Sequence, residues 1–544
     1  MKASGQVDVI VQYTQTPTAR HHQKVLSRGG TLKHELGLVK AGAYSMPASA
    51  LASLAADPEV AYISPDRGLS GYLNNGAPAV NAPYAWSLGL DGSNLAVAVI
   101  DSGIQATTPN GKQTADLKLP NTSTSRIVYN QSWVNDAAGT QDAYGHGTNV
   151  AGIIGGNGSS STGPEYTKTF KGIAPNVNLV NLRVLDGNGM GTDSLVIAAI
   201  QTAVQLKSTY NIRVINLSLG RPVFESYTVD PLCQAVEAAY KAGIVVVVAA
   251  GNDGRDNSEG TNGYATIASP ANDPYAITVG AMKSMGTPTR ADDLIATYSS
   301  KGPTSIDHIV KPDIVAPGNQ QISLNSPEST LTSTFPGNVV PMSYYHNGTN
   351  SKASSAYFTM SGTSMAAPAV SGAVALLLQS QPTLTPDQVK ARLMLTAYKT
   401  FPSYSSYTDP TTGITYTSQY DVFTVGAGYL DIQAALSSTA VSSGVAKSPT
   451  VAFDSTTNSI YFVKDSSALW GSSALWGSSA LWGSNVFVGS QSALWGSSAL
   501  WGSSALWGSS TTQGFSALWG SSALWGSSTS DGGEAVNVLI NGEN

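Results

Sequence analysis

A serine near residue 364 occupies a position from which it could act as a nucleophile. Ser364 follows Gly362-Thr363 and precedes a small and apolar run, residues 365–378, with helical character. A serine at the start of a helix lies beside the unsatisfied N–H groups of the first turn, which favour developing negative charge. A nucleophile also needs a base within hydrogen-bond reach. Ser361 or Ser364 is equally consistent with a helix N-cap, and this stretch alone leaves both interpretations open.

Three further polar residues are placed where they could assist such a serine. Asp101 ends an apolar run, His146 lies between two glycines at a predicted helix start, and Asn252 follows the apolar run at residues 244–250. Taken singly, each has an ordinary explanation as part of a turn, a helix entry or a loop. Together they supply a carboxylate, an imidazole and a carboxamide, which are the groups that activate a hydroxyl and stabilise an oxyanion.

The elements that must position these residues alternate between strand and helix. Continuous apolar runs are typical of buried parallel strands, and they occur at residues 95–100, 177–185, 212–217 and 244–250. Further strand-like runs cover residues 276–281 and 309–315, and helices are predicted at residues 146–156, 192–209, 231–242, 363–379 and 386–397. This alternation predicts an α/β fold with a doubly wound, mostly parallel sheet, in which functional residues gather at the carboxyl ends of the strands.

The first part of the chain has a different, small α+β pattern. Strands are predicted at residues 7–13, 41–45 and 60–64, and helices at residues 18–27 and 47–56. A stretch rich in Gly, Asn, Pro and Ser, residues 68–82, then indicates a connector. We therefore predict three regions, with boundaries at residues 1–72, 73–440 and 441–544.

Three sequence blocks carry a resemblance to a known family. They are Asp101-Ser-Gly, the run Gly-His-Gly-Thr-Asn-Val-Ala-Gly at 145–152, and Gly-Thr-Ser-Met-Ala-Ala-Pro at 362–368. These blocks resemble the three signatures of the subtilisin-like serine proteases (subtilases, peptidase family S8), in the same order of Asp, His and Ser. The resemblance covers about residues 77–436. Asn149 and Ala369 depart from the residues usual at their positions, and neither is a triad position.

The resemblance implies roles for four residues. Ser364 would attack a peptide carbonyl, His146 would take its proton, and Asp101 would orient the imidazole and stabilise its cation. Asn252 would donate a side-chain N–H to the oxyanion together with the backbone N–H of Ser364. The chain would then be a serine endopeptidase acting on polypeptides through an acyl-enzyme.

Residues that contact the substrate are also implied by the resemblance. Ser218, Leu219 and Gly220 would pair with an extended substrate, and Gly189 would belong to the opposite wall. The glycine-rich walls imply broad specificity. Ala268 aligns with the floor of the primary pocket, where a small residue would admit a large apolar or aromatic side chain.

The N-terminal region resembles an inhibitory propeptide with a ferredoxin-like α+β fold. The stretch Asp-Pro-Glu-Val-Ala-Tyr-Ile-Ser-Pro-Asp at 57–66 is similar to the end of such a propeptide. Maturation is then expected by self-cleavage after or close to Tyr72, in the segment 71–74. The alternative is a regulatory domain that stays attached.

The last region changes composition abruptly. After residue 465, Ser-Ser-Ala-Leu-Trp-Gly recurs with a period of six. An even period places every Trp on one side of an extended chain, whereas a helix would spread them around its axis, so extended or solenoid-like structure is favoured. Residues 485–488 and 535–540 are predicted as short strands. Packing along the catalytic domain, self-assembly, surface attachment and an unstructured tail all stay open. The rival to a protease is an adhesive or surface-attached structural protein in which proteolysis is secondary.

Composition excludes several classes of partner. The chain has 544 residues, a net charge of −6 and no basic tract, which argues against nucleic acid as a partner. Cys233 is the single cysteine, so an intrachain disulfide cannot form. Since no apolar run reaches 18 residues, no membrane span is expected. The beginning of the sequence lacks the apolar stretch of a secretory signal, so either the protein stays inside the cell or a leader is missing; the propeptide-like region favours secretion. We expect a monomer.

Other hydrolase chemistries find no support in the sequence. An esterase elbow needs a glycine where Ala366 stands, and the Ser would come first in the chain rather than last. A zinc hydrolase helix of the His-Glu-x-x-His type is missing from the sequence. No cofactor is expected. Calcium stabilises many members of this family, but Asp116 is only a weak candidate ligand, and no metal site is assigned. The remaining histidines are predicted to be surface or loop residues: His21, His22, His34, His308 and His346.

Overall fold

The computed structural model divides the chain into two compact units, Met1–Gly71 and Tyr72–Asn544. The residues that the structure describes are 5–36, 40–65, 76–107, 111, 114–258, 260–347, 353–442, 444–454, 459–463 and 532–543. Tyr72 and the Trp repeats of residues 466–528 lie outside this set. The predicted ends of the three regions, at residues 72 and 440, stay predictions.

The first unit is a four-stranded antiparallel sheet with two helices. Its elements in chain order are β1 (Gln6–Tyr13), α1 (Ala19–Leu26), β2 (Thr31–Leu36), β3 (Ala41–Pro47), α2 (Leu51–Ala55) and β4 (Val60–Pro65). The strands are ordered β2-β3-β1-β4. Alternate residues of β1, Val9 and Val11, pack with Val25 of α1 and Leu54 of α2 in one small core. Strand β2 was not predicted, because its side chains are mostly polar and exposed.

Two histidines of this unit are buried, so their prediction as surface or loop residues is wrong. His21 is 1% exposed and His22 is 7% exposed, and both lie on the same face of α1 as Val25. Their ring nitrogens are satisfied inside the unit: His21 Nδ1 accepts from the backbone N–H of Thr18 at 3.1 Å, and His22 Nδ1 lies 2.7 Å from the Tyr44 hydroxyl. A histidine with such partners can complete an apolar helix face.

The second unit is an α/β domain with elements on both sides of a sheet. Its strands are β5 (Ala96–Asp101), β6 (Ile127–Ser132), β7 (Asn178–Arg183), β8 (Ile212–Leu217), β9 (Val245–Ala249), β10 (Ile277–Lys283), β11 (Leu294–Ile295), β12 (Ile314–Pro317), β13 (Gln321–Leu324), β14 (Val339–Pro341), β15 (Ala353–Met360), β16 (Tyr404–Thr408), β17 (Thr415–Gln419), β18 (Thr450–Asp454) and β19 (Ser459–Val463). Its helices are α3 (Gly76–Ala79), α4 (Ala82–Ser87), α5 (His146–Gly155), α6 (Asp193–Gln205), α7 (Lys207–Tyr210), α8 (Pro231–Lys241), α9 (Thr330–Thr334), α10 (Thr363–Ser380), α11 (Pro386–Thr396), α12 (Val422–Val425), α13 (Ile432–Ser437) and α14 (Gly532–Asn541).

The main sheet confirms the predicted doubly wound, mostly parallel α/β fold. Its order is β11-β10-β9-β8-β5-β7-β6, with β12 also paired to β10, and only the short β11 runs antiparallel. In β5, Val97 and Val99 belong to the core on one face, whereas Ala98 and Ile100 belong to the core on the other. Such a strand must be apolar at every position, which is why its sequence is a continuous apolar run.

Helix α10 crosses the larger of these two cores. Within the described part of the chain it is the one helix long and apolar enough to span a membrane by length and composition, but it is mostly buried inside the protein. Its small residues, such as Ala366 and Gly372, allow close approach: a Cβ on Gly372 would lie within 2.9 Å of the Ile173 side chain. The element is therefore packed as an interior helix of the domain.

Two predicted strands differ from the structure. Only the end of the run 309–315 is a strand, β12, because Lys311 and Asp313 form a buried ion pair at the approach to it. Residues 535–540 belong to helix α14 rather than to a strand. A short apolar run does not distinguish a strand from a helix, but Val536, Leu539 and Ile540 have the i, i+3, i+4 spacing of a helix face and pack against the main core.

Candidate functional site

The first member of the candidate site lies at the carboxyl end of the central strand. Asp101 is the last residue of β5, and it is 1% exposed. Its Oδ1 accepts a hydrogen bond from the backbone N–H of Ser102 at 2.7 Å. Because β5 has β7 on one side and β8 on the other, the carboxylate is fixed at the middle of the sheet edge.

The second member begins helix α5. His146 follows Gly145, which has φ of 108° at the N-cap position, a conformation that favours glycine. His146 Nδ1 lies 2.8 Å from Asp101 Oδ1. A glycine is also required at position 147, where a Cβ would lie 3.1 Å from the Asp101 side chain and closer still to the Gly103 carbonyl oxygen. The Gly-His-Gly sequence therefore serves both the turn and the approach of the helix to the carboxylate.

The electrostatics of the pair raise the basicity of the imidazole. Burial opposes a charge on His146, but the Asp101 carboxylate outweighs it through its charge and its hydrogen bond, so the pKa of His146 is raised above its ordinary value. The raised pKa makes His146 a better proton acceptor than an isolated histidine, as general base catalysis requires.

A residue that sequence reasoning missed connects the two segments. Asp142 is 2% exposed, and its Oδ1 accepts from Ser102 Oγ at 2.8 Å and from the backbone N–H of Gly145 at 2.7 Å. Its Oδ2 accepts from the backbone N–H of Thr148 at 2.8 Å. Burial raises the pKa of Asp142 above its usual range in spite of these hydrogen bonds. A carboxylate shortly before a helix start was the available signal, although it is a weak one.

Ser364 lies in the first turn of α10, after Gly362 at the N-cap position with φ of 140°. The interpretation of Ser361 or Ser364 as the side-chain cap is wrong, because the cap is a glycine; Ser361 Oγ instead accepts from the backbone N–H of Gln320 at 2.9 Å. The Ser364 hydroxyl donates to the Ser218 carbonyl oxygen at 3.3 Å, which is long for a hydroxyl donor. Ser364 is half-buried and lines the same cleft as His146.

Pro368 in α10 leaves the Ser364 carbonyl oxygen free to bind a residue at the end of strand β8. Pro368 has no N–H, so the carbonyl oxygen of Ser364, four residues earlier, loses its partner within the helix. The Ser218 hydroxyl donates to that oxygen at 2.9 Å, and Asn216 Nδ2 in turn donates to Ser218 Oγ at 3.0 Å. The first turn of α10 is therefore fastened to the end of β8 by two hydrogen bonds between Ser218 and Ser364.

The orientation of the Asn252 amide follows from its neighbours. Asn252 Oδ1 accepts from the backbone N–H of Thr363 at 2.9 Å and from Thr363 Oγ1 at 3.1 Å. Since a backbone N–H can only donate, the oxygen of the amide must face Thr363 and the NH₂ group must face the other way. Asn252 lines the cleft together with Ser364, so its NH₂ group is available as a donor there.

These side chains surround an open cleft of about 370 Å³. Its lining residues are Tyr144, His146, Leu185, Gly189, Met190, Gly191, Thr192, Asp193, Val196, Ser218, Leu219, Gly220, Arg221, Leu232, Asn252, Ser364, Val536 and Leu539. The structure thus brings together His146, Ser364, Asn252 and the four wall residues expected from the sequence, with Asp101 directly behind His146. Tyr72 lies outside the described residues.

Two glycines in the cleft walls stand where a side chain would come too close to its neighbours. Gly189 has φ of 77°, and a Cβ there would lie 2.7 Å from the Tyr144 ring. A Cβ on Gly220 would lie 3.0 Å from the Ser269 carbonyl oxygen and 3.1 Å from the Ala268 side chain. Ala268 is therefore a neighbour of the wall at Gly220, but it is not among the residues that line the cleft.

The weak candidate calcium ligand lies inside the domain and accepts hydrogen bonds from the protein. Asp116 is buried, its Oδ1 accepts from the backbone N–H of Ser160 at 2.6 Å, and its Oδ2 accepts from the Tyr357 hydroxyl at 2.8 Å. Each carboxylate oxygen therefore has one hydrogen-bond donor from the protein. No group of three or more His, Cys, Asp or Glu side chains suited to a metal occurs among the residues with described positions.

An aspartate, a histidine and a serine, in that chain order at the edge of a doubly wound parallel sheet, make up the arrangement of one class of serine hydrolases. Comparison with known families agrees: the Subtilase family (Peptidase_S8) matches residues 92–459. The chain therefore belongs to the subtilase family, and it is a subtilisin-like serine endopeptidase.

Individual relatives show how far the likeness extends. Serine protease AprX of Bacillus subtilis (strain 168) is 38% identical over 309 residues, which cover 56% of this chain and 61% of AprX. Subtilisin E of the same organism is 32% identical over 403 residues, which cover 73% of this chain and 86% of that protein. The extracellular serine proteinase of Thermus sp. (strain Rt41A) is 34% identical over 360 residues, or 65% of this chain and 69% of the relative. The match thus spans less than two thirds of AprX but most of subtilisin E.

Proposed function

We propose that the chain hydrolyses peptide bonds in polypeptides through a triad of Asp101, His146 and Ser364. The observation that carries the proposal is the 2.8 Å contact between Asp101 Oδ1 and His146 Nδ1, at a cleft that Ser364 also lines. The hydrogen bond fixes the imidazole with Nδ1 protonated, so that Nε2 has its lone pair available for the serine proton.

The proposed reaction proceeds through an acyl-enzyme. Ser364 Oγ attacks the peptide carbonyl carbon while His146 Nε2 takes the hydroxyl proton. The same proton then passes to the leaving amine as the C–N bond breaks. Water, deprotonated by His146, attacks the ester and releases the carboxyl product and the Ser364 hydroxyl. The Ser364 hydroxyl donates to the Ser218 carbonyl at 3.3 Å, a long hydrogen bond that it would exchange for one to His146 during the reaction.

Charge on the substrate oxygen would be stabilised by two donors. The NH₂ group of Asn252 is directed away from Thr363, whose backbone N–H is bound to the amide oxygen. The second donor is the backbone N–H of Ser364, which lies in the unsatisfied first turn of α10. Both donors are fixed before the substrate arrives, so they cost little reorganisation during the reaction.

A fluorophosphonate probe tests the nucleophile directly. We expect the wild-type protein to be labelled at Ser364 and the Ser364→Ala variant to remain unlabelled. Ser361→Ala is the matched control, because this hydroxyl lies three residues earlier and should not change labelling. Labelling of the Ser364→Ala variant would refute the assignment of the nucleophile.

The preferred substrate is proposed to carry a large apolar or aromatic residue before the scissile bond. The proposal is supported by the apolar side chains that line the cleft, among them Leu185, Val196 and Leu232. Ser218, Leu219, Gly220 and Gly189 would pair with the backbone of an extended substrate and give broad specificity. Mapping cleavage sites in a denatured protein mixture tests this: cleavage mainly after charged residues would reject it.

We also propose that residues 1–72 act as an inhibitory propeptide that is removed by self-cleavage near Tyr72. The support is the α+β unit that precedes the catalytic unit, since a small separate domain is what a removable inhibitor requires. N-terminal sequencing of matured protein should give a start close to residue 73. Ser364→Ala should keep its N-terminal region, whereas a start far from residue 73 would contradict the assignment.

The compartment proposed for the mature enzyme is extracellular. One relative is itself called an extracellular serine proteinase, and self-processing would suit an exported enzyme. We propose that it acts as a monomer with its own propeptide as intramolecular inhibitor. Activity in the culture medium of the producing cells, and the mass of the active species in solution, test these two points.

A further inference from the structure

A segment distant in sequence packs beside the nucleophile. Helix α14 and the two residues after it, together residues 532–543, belong to the catalytic unit although residues 464–531 separate them from β19. We refer to residues 532–543 as the wall segment. Val538, Leu539 and Ile540 are buried in the main core of the unit. The wall segment is thus part of the packed domain.

The buried side chain of Glu543 holds the end of the wall segment in place through hydrogen bonds to polar groups of the domain. Glu543 is 2% exposed, and its Oε1 accepts from Arg255 Nη2 at 2.9 Å and from the backbone N–H of Thr297 at 2.7 Å. Its backbone makes a reciprocal pair with Asn319: its N–H donates to Oδ1 at 2.8 Å and its carbonyl accepts from Nδ2 at 2.7 Å. A buried carboxylate is costly unless it is paired, so these partners indicate a specific position for Glu543 in the domain.

The backbone of the wall segment is fastened next to Ser364. The Leu539 carbonyl oxygen accepts from the backbone N–H of Ser361 at 2.8 Å, and the Ile540 carbonyl oxygen accepts from Asn338 Nδ2 at 2.6 Å. Gly542 has φ of 58°, and a Cβ there would collide with Ser361 and Asn319. Ser361 lies three residues before the nucleophile, so the position of the wall segment is fixed relative to the reacting hydroxyl.

Two apolar side chains of the wall segment face the cleft. Val536 and Leu539 are three residues apart on α14, and both line the cleft with His146 and Ser364. The cleft keeps a volume of about 370 Å³, and Ser364 remains half-buried rather than covered. The wall segment therefore borders the space for the substrate and does not fill it.

We propose that Val536 and Leu539 form the apolar wall that contacts substrate residues after the scissile bond. The inference rests on the proposed function, and it takes Ser218, Leu219 and Gly220, the proposed partners of the substrate backbone, to contact the residues before that bond. The wall segment is attached instead to Ser361 and to Asn338, on the β13–β15 side of Ser364. It is therefore placed to select for apolar side chains in the leaving part of the substrate.

Two series of fluorogenic peptides test the proposal. One varies the first two residues after the scissile bond, from alanine to leucine and aspartate, and the other varies the residue before it. In Leu539→Ala we expect kcat/KM for peptides with leucine after the bond to fall about 10-fold, the scale of apolar pocket contacts. Preference in the other series should stay unchanged. The matched control is Asn537→Ala, because Asn537 is exposed on the same helix and does not line this cleft.

A second variant acts at a distance from the cleft. Glu543→Ala removes the anchor, and it should flatten the preference after the scissile bond in the same direction as Leu539→Ala. Thermal unfolding and fluorophosphonate labelling accompany each variant, so that loss of the fold or of the nucleophile is seen separately. If wild type itself is not labelled, the proposed function fails.

Other outcomes would overturn the proposed wall. If labelling is intact but Leu539→Ala changes both peptide series equally, the wall segment acts only on the general stability of the site. If Leu539→Ala and Glu543→Ala raise kcat/KM on all peptides, the wall segment is an inhibitor. If neither series changes in Leu539→Ala, the side chain does not contact substrate.

Discussion

Two of the buried ionic centres in the domain have opposite designs. One is the pair of Asp101 and His146 in the cleft; the other is Asp313 with Lys311 and Lys390, beneath the sheet strands β10 and β12. Their carboxylates are equally buried, with Asp101 at 1% and Asp313 at 0% exposure. The two centres differ in how completely their hydrogen-bonding capacity is used.

The centre at Asp313 is closed. Asp313 Oδ2 accepts from Lys311 Nζ at 2.7 Å and from the backbone N–H of Thr278 at 2.8 Å, and its Oδ1 accepts from Ser448 Oγ at 2.6 Å. Lys390 Nζ lies 3.2 Å from Oδ1 and also donates to the Ala276 carbonyl oxygen at 2.8 Å. Burial would raise the pKa of Asp313, but the two lysine charges lower it below its ordinary value.

The centre at Asp101 is open. Asp101 Oδ2 is buried without a hydrogen-bond partner among the described residues, and the imidazole that Asp101 orients lines a cleft. An incompletely satisfied buried group is costly to stability, and such groups concentrate where chemistry occurs. Burial and charge are thus common to the two centres, whereas a carboxylate oxygen without a partner and a neighbour that lines the cleft are features of the Asp101 centre.

The largest expected difference between the centres is the loss of activity in His146→Ala. Removal of the base should lower turnover about 10⁶-fold, the loss that subtilisin shows for its nucleophile or base. The unfolding temperature should change little, because His146 contributes to an open site. Peptide hydrolysis and thermal unfolding of the same preparation measure both. A variant that keeps more than a small fraction of activity would remove His146 from the mechanism.

Asp313→Asn should give the reverse result. Two buried lysines would lose their counter-charge, which costs about 3–5 kcal/mol in the free energy of unfolding, whereas kcat of the folded protein should stay the same. Denaturant titration measures the first and active-site-titrated hydrolysis the second. Lys241→Met is the control: its pair with Glu237 is largely exposed on the lysine side and should contribute less than about 1 kcal/mol. Equal costs in the two variants would contradict the closed design.

Asn252→Ala should have a smaller effect than loss of the base. One oxyanion donor is worth about 10²–10³ in kcat, and the backbone N–H of Ser364 would remain. KM should change little because the donor acts mainly on the transition state. Steady-state kinetics alongside His146→Ala provide the measurement. Losses of equal size in the two variants would mean that Asn252 is not the donor.

The two centres should also respond to pH in separate windows. The pKa of His146 is raised above 6.5, so kcat/KM should fall as pH falls through that higher value and the imidazole takes up a proton. The pKa of Asp313 in the folded protein is lowered below 3.8. Its ionised carboxylate therefore stabilises the fold fully above pH 3.8, and this stabilisation is lost only as the pH falls through the lowered pKa. As the pH falls, activity should therefore be lost while Asp313 is still ionised. An activity profile whose acid limb lies at or below pH 6 would contradict the raised pKa.

Much of the catalytic fold could be predicted because its signals are local. Parallel strands buried on both faces must be apolar throughout, so β5, β8 and β9 can be recognised in the sequence as continuous apolar runs. Asp101 and His146 stand at ends of elements, where a sheet of this topology collects them. Ser364 was ambiguous with an N-cap until Gly362 was found at the cap position.

The rest depends on contacts between distant residues. Asp142 is important only because its two oxygens reach Ser102, Gly145 and Thr148, which no local pattern shows. Helix α14 was predicted as a strand because a short apolar segment has no period of its own strong enough to decide, and its burial against the core decides instead. Predictions for Tyr72 and for the Trp repeats stay predictions.

Pro368 affects the candidate site through the hydrogen bond that it cannot make. By lacking an N–H it releases the Ser364 carbonyl, and the Ser218 hydroxyl takes the place of the missing donor. Helix α10 and the strand proposed to receive the substrate are thereby joined by hydrogen bonds at Ser364, the proposed nucleophile. The position of the Ser364 hydroxyl relative to a bound polypeptide would therefore depend on the amide hydrogen that Pro368 lacks.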